Sequence, residues 1–257
     1  MGLILVTGSA SGIGAATCQS LRAEGHQPIG LDLRDADVEA DLSMPEGRQL
    51  AVDGVLRRCS GTLDGLVLCA GLGPHVDVPE RIVSVNYFGT TALLDGLFPA
   101  LCNGVRPAAV VVSSLASTMV SWEDNPFATA VDADDEEAAS TVVGELGDLK
   151  GHLAYAGAKN ALTVAVRRRV AEWGAAGVRL NTVAPGSVGT PLLEAGLRDE
   201  RYGDAIRDLV APIPRWAAAS EVAAGITFLL GPNAAYVHGA QIPIDGGVDA
   251  LLRPTRF

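Results

Sequence analysis

Short apolar runs, separated by longer amphipathic segments, recur along the chain. They are continuously apolar, which is typical of parallel strands covered by helices on both faces. The pattern extends from residue 3 to about residue 245 without a linker. It predicts a single α/β domain, 1–257, with a Rossmann-type doubly wound parallel sheet of about seven strands and helices on both faces. The predicted strands are Leu3–Val6, Gln27–Leu31, Val38–Ala40, Gly65–Cys69, Ala108–Ser113, Arg179–Val183 and Gln241–Ile244.

Three helices have recognisable ends in the sequence. Ser43–Glu46 has the residues of a capping box with a proline in the first turn, so a helix should begin there. Ala154–Ala175 is predicted to be a long helix that ends at Gly177. Ser220 is expected to cap a further helix.

A glycine-rich turn follows the first predicted strand. It reads Thr7-Gly8-Ser9-Ala10-Ser11-Gly12-Ile13-Gly14 and leads directly into a helical segment. Glycines in this context form a tight turn, admit a pyrophosphate close to the backbone and let the helix pack on the strand. The unpaired N–H groups of the helix N-terminus then attract phosphate. The turn predicts a dinucleotide site with contacts from Gly8, Ser11, Gly12, Ile13 and Gly14.

The end of the second strand indicates which dinucleotide is bound. Asp32 lies 18 residues beyond Gly14, where a carboxylate can accept hydrogen bonds from the adenosine ribose hydroxyls. The same charge would repel a 2′-phosphate, so NAD is expected and NADP is less favoured, although Arg34 could tolerate the phosphate. Asp41 and Leu42, after the third strand, are placed to meet the adenine edge.

Proton-transfer chemistry is indicated by Tyr155 and Lys159, which lie on one face of the long helix at a spacing of four residues. A phenol titrates near 10, and a neighbouring ammonium stabilises its ionised form. Ser114 follows the fifth strand at its C-terminal end, where it can bind a carbonyl or alcohol oxygen. Asn86 could hold a water or a backbone kink near the lysine.

With these motifs in this order, the chain resembles the classical subgroup of the short-chain dehydrogenase/reductase family over essentially its whole length. The resemblance implies that Tyr155 is the general acid and base, that Ser114 orients the reacting oxygen and that Lys159 binds the nicotinamide ribose. It also implies that Asn86 holds a proton-relay water. Cys69 departs from the family, which often has Asn there, and should cost a hydrogen bond that steadies the sheet. The further cofactor contacts implied are Cys69, Ala70, Gly71, Pro185, Gly186, Val188 and Thr190.

Within the family, the resemblance is strongest to the bacterial branch that interconverts 3α-hydroxyl and 3-keto groups of steroids with NAD(H) and reduces other carbonyl compounds. It is carried by Asp64–Pro74, Ser84–Gly89, Leu153–Val166, Gly177–Asn181 and Ala235–Gly247. An NAD-dependent dehydrogenase of an aryl alcohol such as coniferyl alcohol is the first alternative. The second is a dinucleotide-binding regulator without turnover, although such a protein would need only the phosphate loop.

Charge is concentrated in one segment. The net charge of −11 disfavours nucleic acid and anionic membranes as partners. Residues 117–146 hold eight acidic residues and no Lys or Arg, which leaves 22 acidic against 19 basic residues elsewhere. This segment is read as an insertion between Ser114 and Tyr155, and Asp134–Glu137 should begin a helix within it. Residues 187–212 are expected to form a lid over a hydrophobic substrate.

The remaining features are compatible with a reduced, cytoplasmic enzyme. The four cysteines lack C-x-x-C spacing, no cysteine and histidine cluster has zinc spacing, and no metal is expected. The four histidines are assigned no catalytic role. The chain opens on an apolar strand, so no signal peptide is expected. The resemblance to the steroid branch implies a homodimer, with a homotetramer as the alternative, because in that branch the equivalent insertion lies where other family members form their helix-pair interface.

Overall fold

A computed structural model describes residues 2–256, and the two ends of the predicted domain, Met1 and Phe257, lie outside the described residues. All seven predicted strands form, with boundaries that differ from the prediction by at most two residues. The strands are β1 (Leu3–Thr7), β2 (Gln27–Asp32), β3 (Val38–Glu39), β4 (Gly65–Leu68), β5 (Ala108–Val112), β6 (Arg179–Pro185), β7 (Val188–Gly189), β8 (Ala217–Ala218) and β9 (Gln241–Ile244). Seven of them make one parallel sheet in the order β3-β2-β1-β4-β5-β6-β9, and β7 pairs with β8. The predicted fold class is confirmed.

Helices connect the strands on both faces of this sheet. A π-helical turn, Ser84–Gly89, joins the third helix to the fourth. The helices are α1 (Gly12–Ala23), α2 (Pro45–Cys59), α3 (Glu80–Val83), α4 (Thr90–Cys102), α5 (Ala128–Asp132), α6 (Glu136–Glu145), α7 (Lys150–Ala175), α8 (Pro191–Arg198), α9 (Gly203–Asp208), α10 (Ala219–Leu230) and α11 (Val248–Leu252).

Each central strand supplies both hydrophobic layers, because successive side chains point to opposite faces. Leu5 and Leu66 pack in the layer that α2, α4 and α7 cover, whereas Val6 and Val67 pack in the layer that α1 and α10 cover. This double burial explains why the strands are continuously apolar in the sequence.

The strand order places the site. It reverses between β1 and β4, so the connections after these two strands diverge to opposite sides and leave a crevice at their carboxyl ends. The glycine-rich turn after β1, the loop after β4 and the segment after β5 all open toward this crevice. Residues as far apart in the chain as Gly8 and Ser114 therefore meet at one edge of the sheet.

Two predicted helix caps are wrong. Met44, which makes no side-chain cap hydrogen bond, precedes α2. The hydroxyl of Ser43 instead donates to Asp41 Oδ1 at 2.7 Å, because the turn after β3 brings that carboxylate within reach. Ser220 lies inside the first turn of α10, whose N-cap is Ala218. The Glu221 carboxylate accepts from the Ala218 N–H at 2.8 Å, which satisfies this helix end without a serine.

The long helix ends as predicted but begins earlier. Gly177 has a φ of 76°, and the Val178 N–H donates to the Trp173 carbonyl at 2.9 Å, which closes the last turn of α7. At its other end α7 starts at Lys150, four residues before the predicted Ala154. The additional turn extends toward the crevice and becomes part of the site.

A capped helix forms within the acidic segment 117–146. Asp135 Oδ1 accepts from the Ala138 N–H at 2.9 Å, and α6 follows, which confirms the predicted helix start. A salt bridge of 2.6 Å joins Glu136 to Arg48 of α2. Arg48 is buried and also donates to the Leu42 carbonyl at 2.8 Å. The acidic segment is thus attached to the rest of the domain through Arg48, a cation that lies outside the segment.

The first half of the same segment packs directly on α7. The side chain of Phe127 is fully buried, and a Cβ at Gly157 would lie 2.7 Å from its ring. The Asn125 side-chain amide donates to the Gly157 carbonyl at 2.9 Å and to Asn160 Oδ1 at 3.0 Å. A part of α7 is consequently covered by the chain's own residues.

Candidate active site

A cavity of ≈ 570 Å³ opens at the carboxyl ends of the central strands. This is an ordinary volume for a cofactor or small-molecule site. The structure brings every predicted cofactor contact to its wall, together with Ser114, Tyr155 and Lys159. The predicted contacts in the wall are Gly8, Ser11, Gly12, Ile13, Gly14, Asp32, Asp41, Leu42, Cys69, Ala70, Gly71, Tyr155, Lys159, Pro185, Gly186, Val188 and Thr190.

The glycine-rich turn has the geometry of a phosphate cradle. Gly8 and Gly12 have φ values of 65° and 53°, which side chains other than glycine rarely adopt. A Cβ at Gly14 would lie 2.1 Å from the Gly8 carbonyl oxygen, so α1 can pack on the turn only with glycine there. Ser11 precedes α1 without a side-chain cap hydrogen bond, which leaves the helix N-terminus open to a ligand. These residues fit the pyrophosphate of a dinucleotide.

The carboxylate of Asp32 is held at the end of β2. Its Oδ2 accepts from the Ala10 N–H at 3.0 Å and its Oδ1 from the Leu33 N–H at 2.7 Å. Two backbone donors therefore fix the carboxylate against the glycine-rich turn. Each oxygen retains a lone pair, so ribose hydroxyls fit this position and a phosphate would be repelled.

Asp41 is engaged by a residue that sequence reasoning missed. Arg81 of α3 lies 3.2 Å from Asp41 Oδ2 and lines the cavity. Partial burial raises the pKa of Asp41, but hydrogen bonds from Ser43 and the charge of Arg81 outweigh it, and the pKa lies below its ordinary value. No sequence signal joins Arg81 to Asp41, since the two residues are 40 positions apart.

Lys159 is a buried amine. Lys159 is only 4% exposed, and its Nζ donates a hydrogen bond to the Val112 carbonyl at 2.8 Å. Burial lowers the pKa of Lys159 to about 8, because removal from water disfavours the ammonium form. Near pH 8 this amine therefore gains or loses its charge in the free protein.

The side chains of Tyr155 and Ser114 lie next to each other in the cavity wall. Burial raises the pKa of the Tyr155 phenol, and a side-chain hydrogen bond with Ser114 lowers it in part. Ser114 Oγ also accepts from the Ala116 N–H at 3.1 Å, which fixes the serine side chain at the start of a short 3₁₀ turn. A substrate oxygen between the phenol and this hydroxyl would contact both.

Asn86 lies behind the cavity wall and is fully buried in the π-helical turn. Its Oδ1 accepts from the Leu72 N–H at 2.8 Å, and its Nδ2 donates to the Leu72 carbonyl at 3.0 Å. Asn86 thereby fixes the loop after β4. A Cβ at Gly71 would lie 3.0 Å from Asn86 Oδ1 and 3.5 Å from Lys159 Nζ, so the asparagine and the lysine bracket the same glycine.

Cys69 lies where the family resemblance implies an asparagine. Burial raises the pKa of the Cys69 thiol to about 12, so the group is neutral at physiological pH. The Ala70 N–H next to it donates to Thr7 Oγ1 at 3.0 Å, which ties β4 to β1 at the crevice. A neutral thiol packs there as a small apolar group.

The far end of the cavity is lined by residues that are not among the predicted catalytic and cofactor contacts, although two of them belong to the predicted lid. Pro74, Met119, His152, Tyr202 and Ile206 form this part of the wall. Most of it is apolar, and Tyr202 and Ile206 come from the 187–212 segment. A substrate that extends away from Tyr155 would contact this segment.

Within residues 2–256, no helix is long and apolar enough to cross a membrane. No group of three or more His, Cys, Asp or Glu side chains among these residues is arranged to hold a metal ion.

Comparison with known proteins identifies the family. The short chain dehydrogenase profile matches residues 2–130, and the enoyl-(acyl carrier protein) reductase profile of related sequences matches residues 138–249. A 3-alpha-hydroxysteroid dehydrogenase/carbonyl reductase of Comamonas testosteroni is 57% identical over 257 residues, which cover 100% of both chains. A coniferyl-alcohol dehydrogenase of Pseudomonas sp. is 31% identical and covers 95% of both chains.

A solved structure agrees with this relationship. The 3-alpha-hydroxysteroid dehydrogenase from Pseudomonas sp. B-0831, complexed with NADH, superposes with a TM-score of 0.96 and 51% identity, covering 99% of this chain and 100% of that one. The chain therefore belongs to the short-chain dehydrogenase/reductase family. It is an oxidoreductase of that family, as the resemblance predicted.

Proposed function

We propose that the protein is an NAD(H)-dependent oxidoreductase that interconverts a secondary alcohol and a ketone on a hydrophobic substrate, most specifically a 3α-hydroxysteroid and its 3-ketosteroid. The observation that carries this proposal is the grouping of Ser114, Tyr155 and Lys159 beside a phosphate cradle and an apolar far wall in one cavity. Two relatives that are at least 51% identical along nearly the whole chain are hydroxysteroid dehydrogenases, which supports the steroid class.

In this proposal Tyr155 moves the proton. A bound nicotinamide supplies the hydride chemistry. In the reductive direction the neutral phenol, whose pKa burial raises, donates its proton to the oxygen of the carbonyl group. In the oxidative direction the Tyr155 phenolate accepts the proton of the alcohol hydroxyl and becomes the phenol, and a charged Lys159 nearby lowers the cost of forming the phenolate. Ser114 holds the reacting oxygen against the phenol throughout.

Asn86 and Lys159 are proposed to act together on the proton path. Lys159 binds the nicotinamide ribose, while Asn86 fixes the loop after β4 and serves a relay water. The contacts of Asn86 with Leu72 favour positioning as its main contribution. Thr190, whose hydroxyl accepts from the Leu193 N–H at 3.3 Å, and Val188 are proposed to reach the nicotinamide carboxamide.

Asp32 supports the choice of NAD over NADP. Two backbone donors fix its carboxylate, which in this proposal accepts from the adenosine ribose hydroxyls and would repel a 2′-phosphate. Asp41, held by Arg81, and Leu42 are proposed to border the adenine.

The test is an absorbance assay for NADH with androsterone and NAD⁺, repeated with NADP⁺ and with coniferyl alcohol. We expect turnover of androsterone with NAD⁺ and slower turnover with NADP⁺. Tyr155→Phe should lower kcat by at least about 10²-fold, because proton transfer is worth that much, while binding of NADH is retained. Measurable NADH binding without oxidation of any alcohol would instead favour the regulator.

The aryl-alcohol alternative rests on the relative that oxidises coniferyl alcohol. The same cavity would accept an aromatic alcohol, because its far wall offers mostly apolar contacts. Faster turnover of coniferyl alcohol than of androsterone would favour this alternative.

The proposal also includes the oligomeric state, the substrate lid and the cellular location. We infer a homodimer that does not use α7, since residues 117–146 cover part of that helix through Phe127 and Asn125. Residues 187–212 would act as the substrate lid. The four cysteines are free thiols, which suits a cytoplasmic location. Light scattering tests the dimer, and a tetramer joined through α7 would contradict it.

A further inference from the structure

The hydroxyl of Tyr202 is a buried polar group that the proposed chemistry does not use. Tyr202 is 5% exposed. Its hydroxyl oxygen has no hydrogen-bond partner among the described residues. The side chain nevertheless lines the cavity that holds Tyr155. A buried hydroxyl without a partner is unfavourable, and such groups usually have a partner in the state that functions.

The phenol of Tyr202 is seated against the first turn of α7. A Cβ at Gly151 would lie 2.8 Å from the Tyr202 hydroxyl and 2.3 Å from the Pro74 carbonyl, so only glycine allows this approach. Gly151 precedes Tyr155 by four residues and lies on the same helix face. Gly151 lies about one helical turn, roughly 6 Å along the axis, before Tyr155, so the orphan hydroxyl is offset from the reacting centre toward the start of α7.

The surroundings of the hydroxyl are mostly apolar. Pro74, Ala205, Ile206 and Leu209 line the same end of the cavity. The His152 ring lies 5.5 Å from the Tyr202 ring, centroid to centroid. A polar substituent entering this end would lose its water and find few partners. A phenol can both donate and accept a hydrogen bond, so it suits a carbonyl or a hydroxyl group.

We propose that the Tyr202 hydroxyl binds a polar substituent of the substrate that is remote from the reacting carbon, and so favours substrates with a second oxygen. This inference rests on the proposed function. Tyr202 is a specificity-determining residue in this scheme and takes no part in proton or hydride transfer. Because the contact is remote from the reacting carbon, it should act on binding more than on the chemical step.

The experiment compares Tyr202→Phe with the wild type on two steroids. Androsterone carries a second oxygen on its far ring, and 5α-androstan-3α-ol lacks it. We expect the ratio of kcat/KM for androsterone to that for the deoxy steroid to fall about tenfold in the variant, mainly through KM. The Tm of the free variant should equal or exceed that of the wild type, because the deleted hydroxyl has no partner there.

Tyr236→Phe is the matched control. Tyr236 is fully exposed, so loss of its hydroxyl should leave the substrate ratio unchanged. An unchanged ratio in Tyr202→Phe would overturn the inference. So would equal losses on both steroids accompanied by a lower Tm, because these would indicate a structural role.

Failure of the steroid assignment is distinguishable from failure of this inference. If the wild type oxidises neither steroid, the proposed substrate class is wrong. The same comparison is then made with coniferyl alcohol and cinnamyl alcohol, which lacks the ring oxygens. A fall in that ratio in Tyr202→Phe supports the inference, and a constant ratio overturns it. If no alcohol is oxidised, both proposals fail.

Discussion

Replacing Lys159 by methionine should make the free protein more stable at neutral pH and should remove most of its activity. The amine is buried and donates one hydrogen bond, to the Val112 carbonyl at 2.8 Å. Methionine has a similar length and no charge, so it removes the desolvation penalty at little cost in packing. The loss of activity is expected because the proposed function needs the ammonium beside Tyr155.

The size of the stability change follows from the pKa of Lys159. Burial lowers it from 10.5 to about 8. At about 1.4 kcal/mol per pKa unit, the ammonium form costs the folded state about 3 kcal/mol relative to the neutral amine. The variant also loses a hydrogen bond from a charged donor, worth about 2 kcal/mol net. The free energy of unfolding should therefore increase by about 1 kcal/mol at pH 7 in the variant.

The gain should depend on pH. Below pH 8 the amine is charged in both the folded and the unfolded protein, so the penalty is complete. Between about pH 8 and 10.5 the folded state releases the proton while the unfolded state retains it, so the stability of the wild type rises with pH. The advantage of Lys159→Met should shrink over that window and disappear near its upper end.

Urea unfolding at pH 7 and at pH 9.5 measures this difference. The chain contains only two lysines, Lys150 and Lys159, so Lys150→Met is a natural control and should keep the rise in stability above pH 8. Labelling the lysine side chains with ¹³C at the ε-carbon gives two resonances. The one that Lys159→Met removes should titrate near pH 8 in the free protein. A Lys159 resonance that titrates above pH 10, or a variant less stable than the wild type at pH 7, would refute the reasoning.

Three further variants test the site and its supports. Asp32→Ala should lower the preference for NAD over NADP, in kcat/KM, at least about tenfold, because a repulsive charge is lost; an unchanged preference would contradict the role of this carboxylate. Gly14→Ala should weaken NADH binding in a fluorescence titration, since its Cβ would lie 2.1 Å from a loop carbonyl oxygen. Gly144→Ala is the control, because no atom lies within 4 Å of the Cβ that it adds. This substitution should stabilise the protein by about 0.5–1 kcal/mol. Arg48→Met should lower the free energy of unfolding in urea by about 3 kcal/mol, because Glu136 loses the partner that lies 2.6 Å away. An unchanged free energy of unfolding would show that this salt bridge does not stabilise the attachment of residues 117–146.

Most of the fold was predictable because its signals are local. A continuous apolar run reports burial on both sides of a strand, and the glycine-rich turn requires glycine at Gly8 and Gly14 for reasons of backbone angle and close approach. The Tyr155 and Lys159 pair is equally local, since helical geometry alone puts both side chains on one face. These signals are independent of how the elements pack.

The wrong predictions have a common physical cause. Ser43 and Ser220 are suitable capping residues, but other groups compete for or replace their hydrogen bonds. Asp41 accepts from the Ser43 hydroxyl after β3, and Glu221 satisfies the start of α10. A side chain that can donate or accept in several directions takes the partner that the surrounding structure places nearest.

The sequence by itself determined the sheet, the glycine-rich turn and the face of α7 that carries Tyr155 and Lys159, because each depends on residues a few positions apart. Only the tertiary structure decided that Asn86 lies behind the wall, that Arg81 reaches Asp41 and that the Tyr202 phenol rests over α7. These contacts join residues up to about 50 positions apart, and long side chains can reach many partners from a given backbone. Their geometry exists only after the layers have packed and placed those backbones side by side.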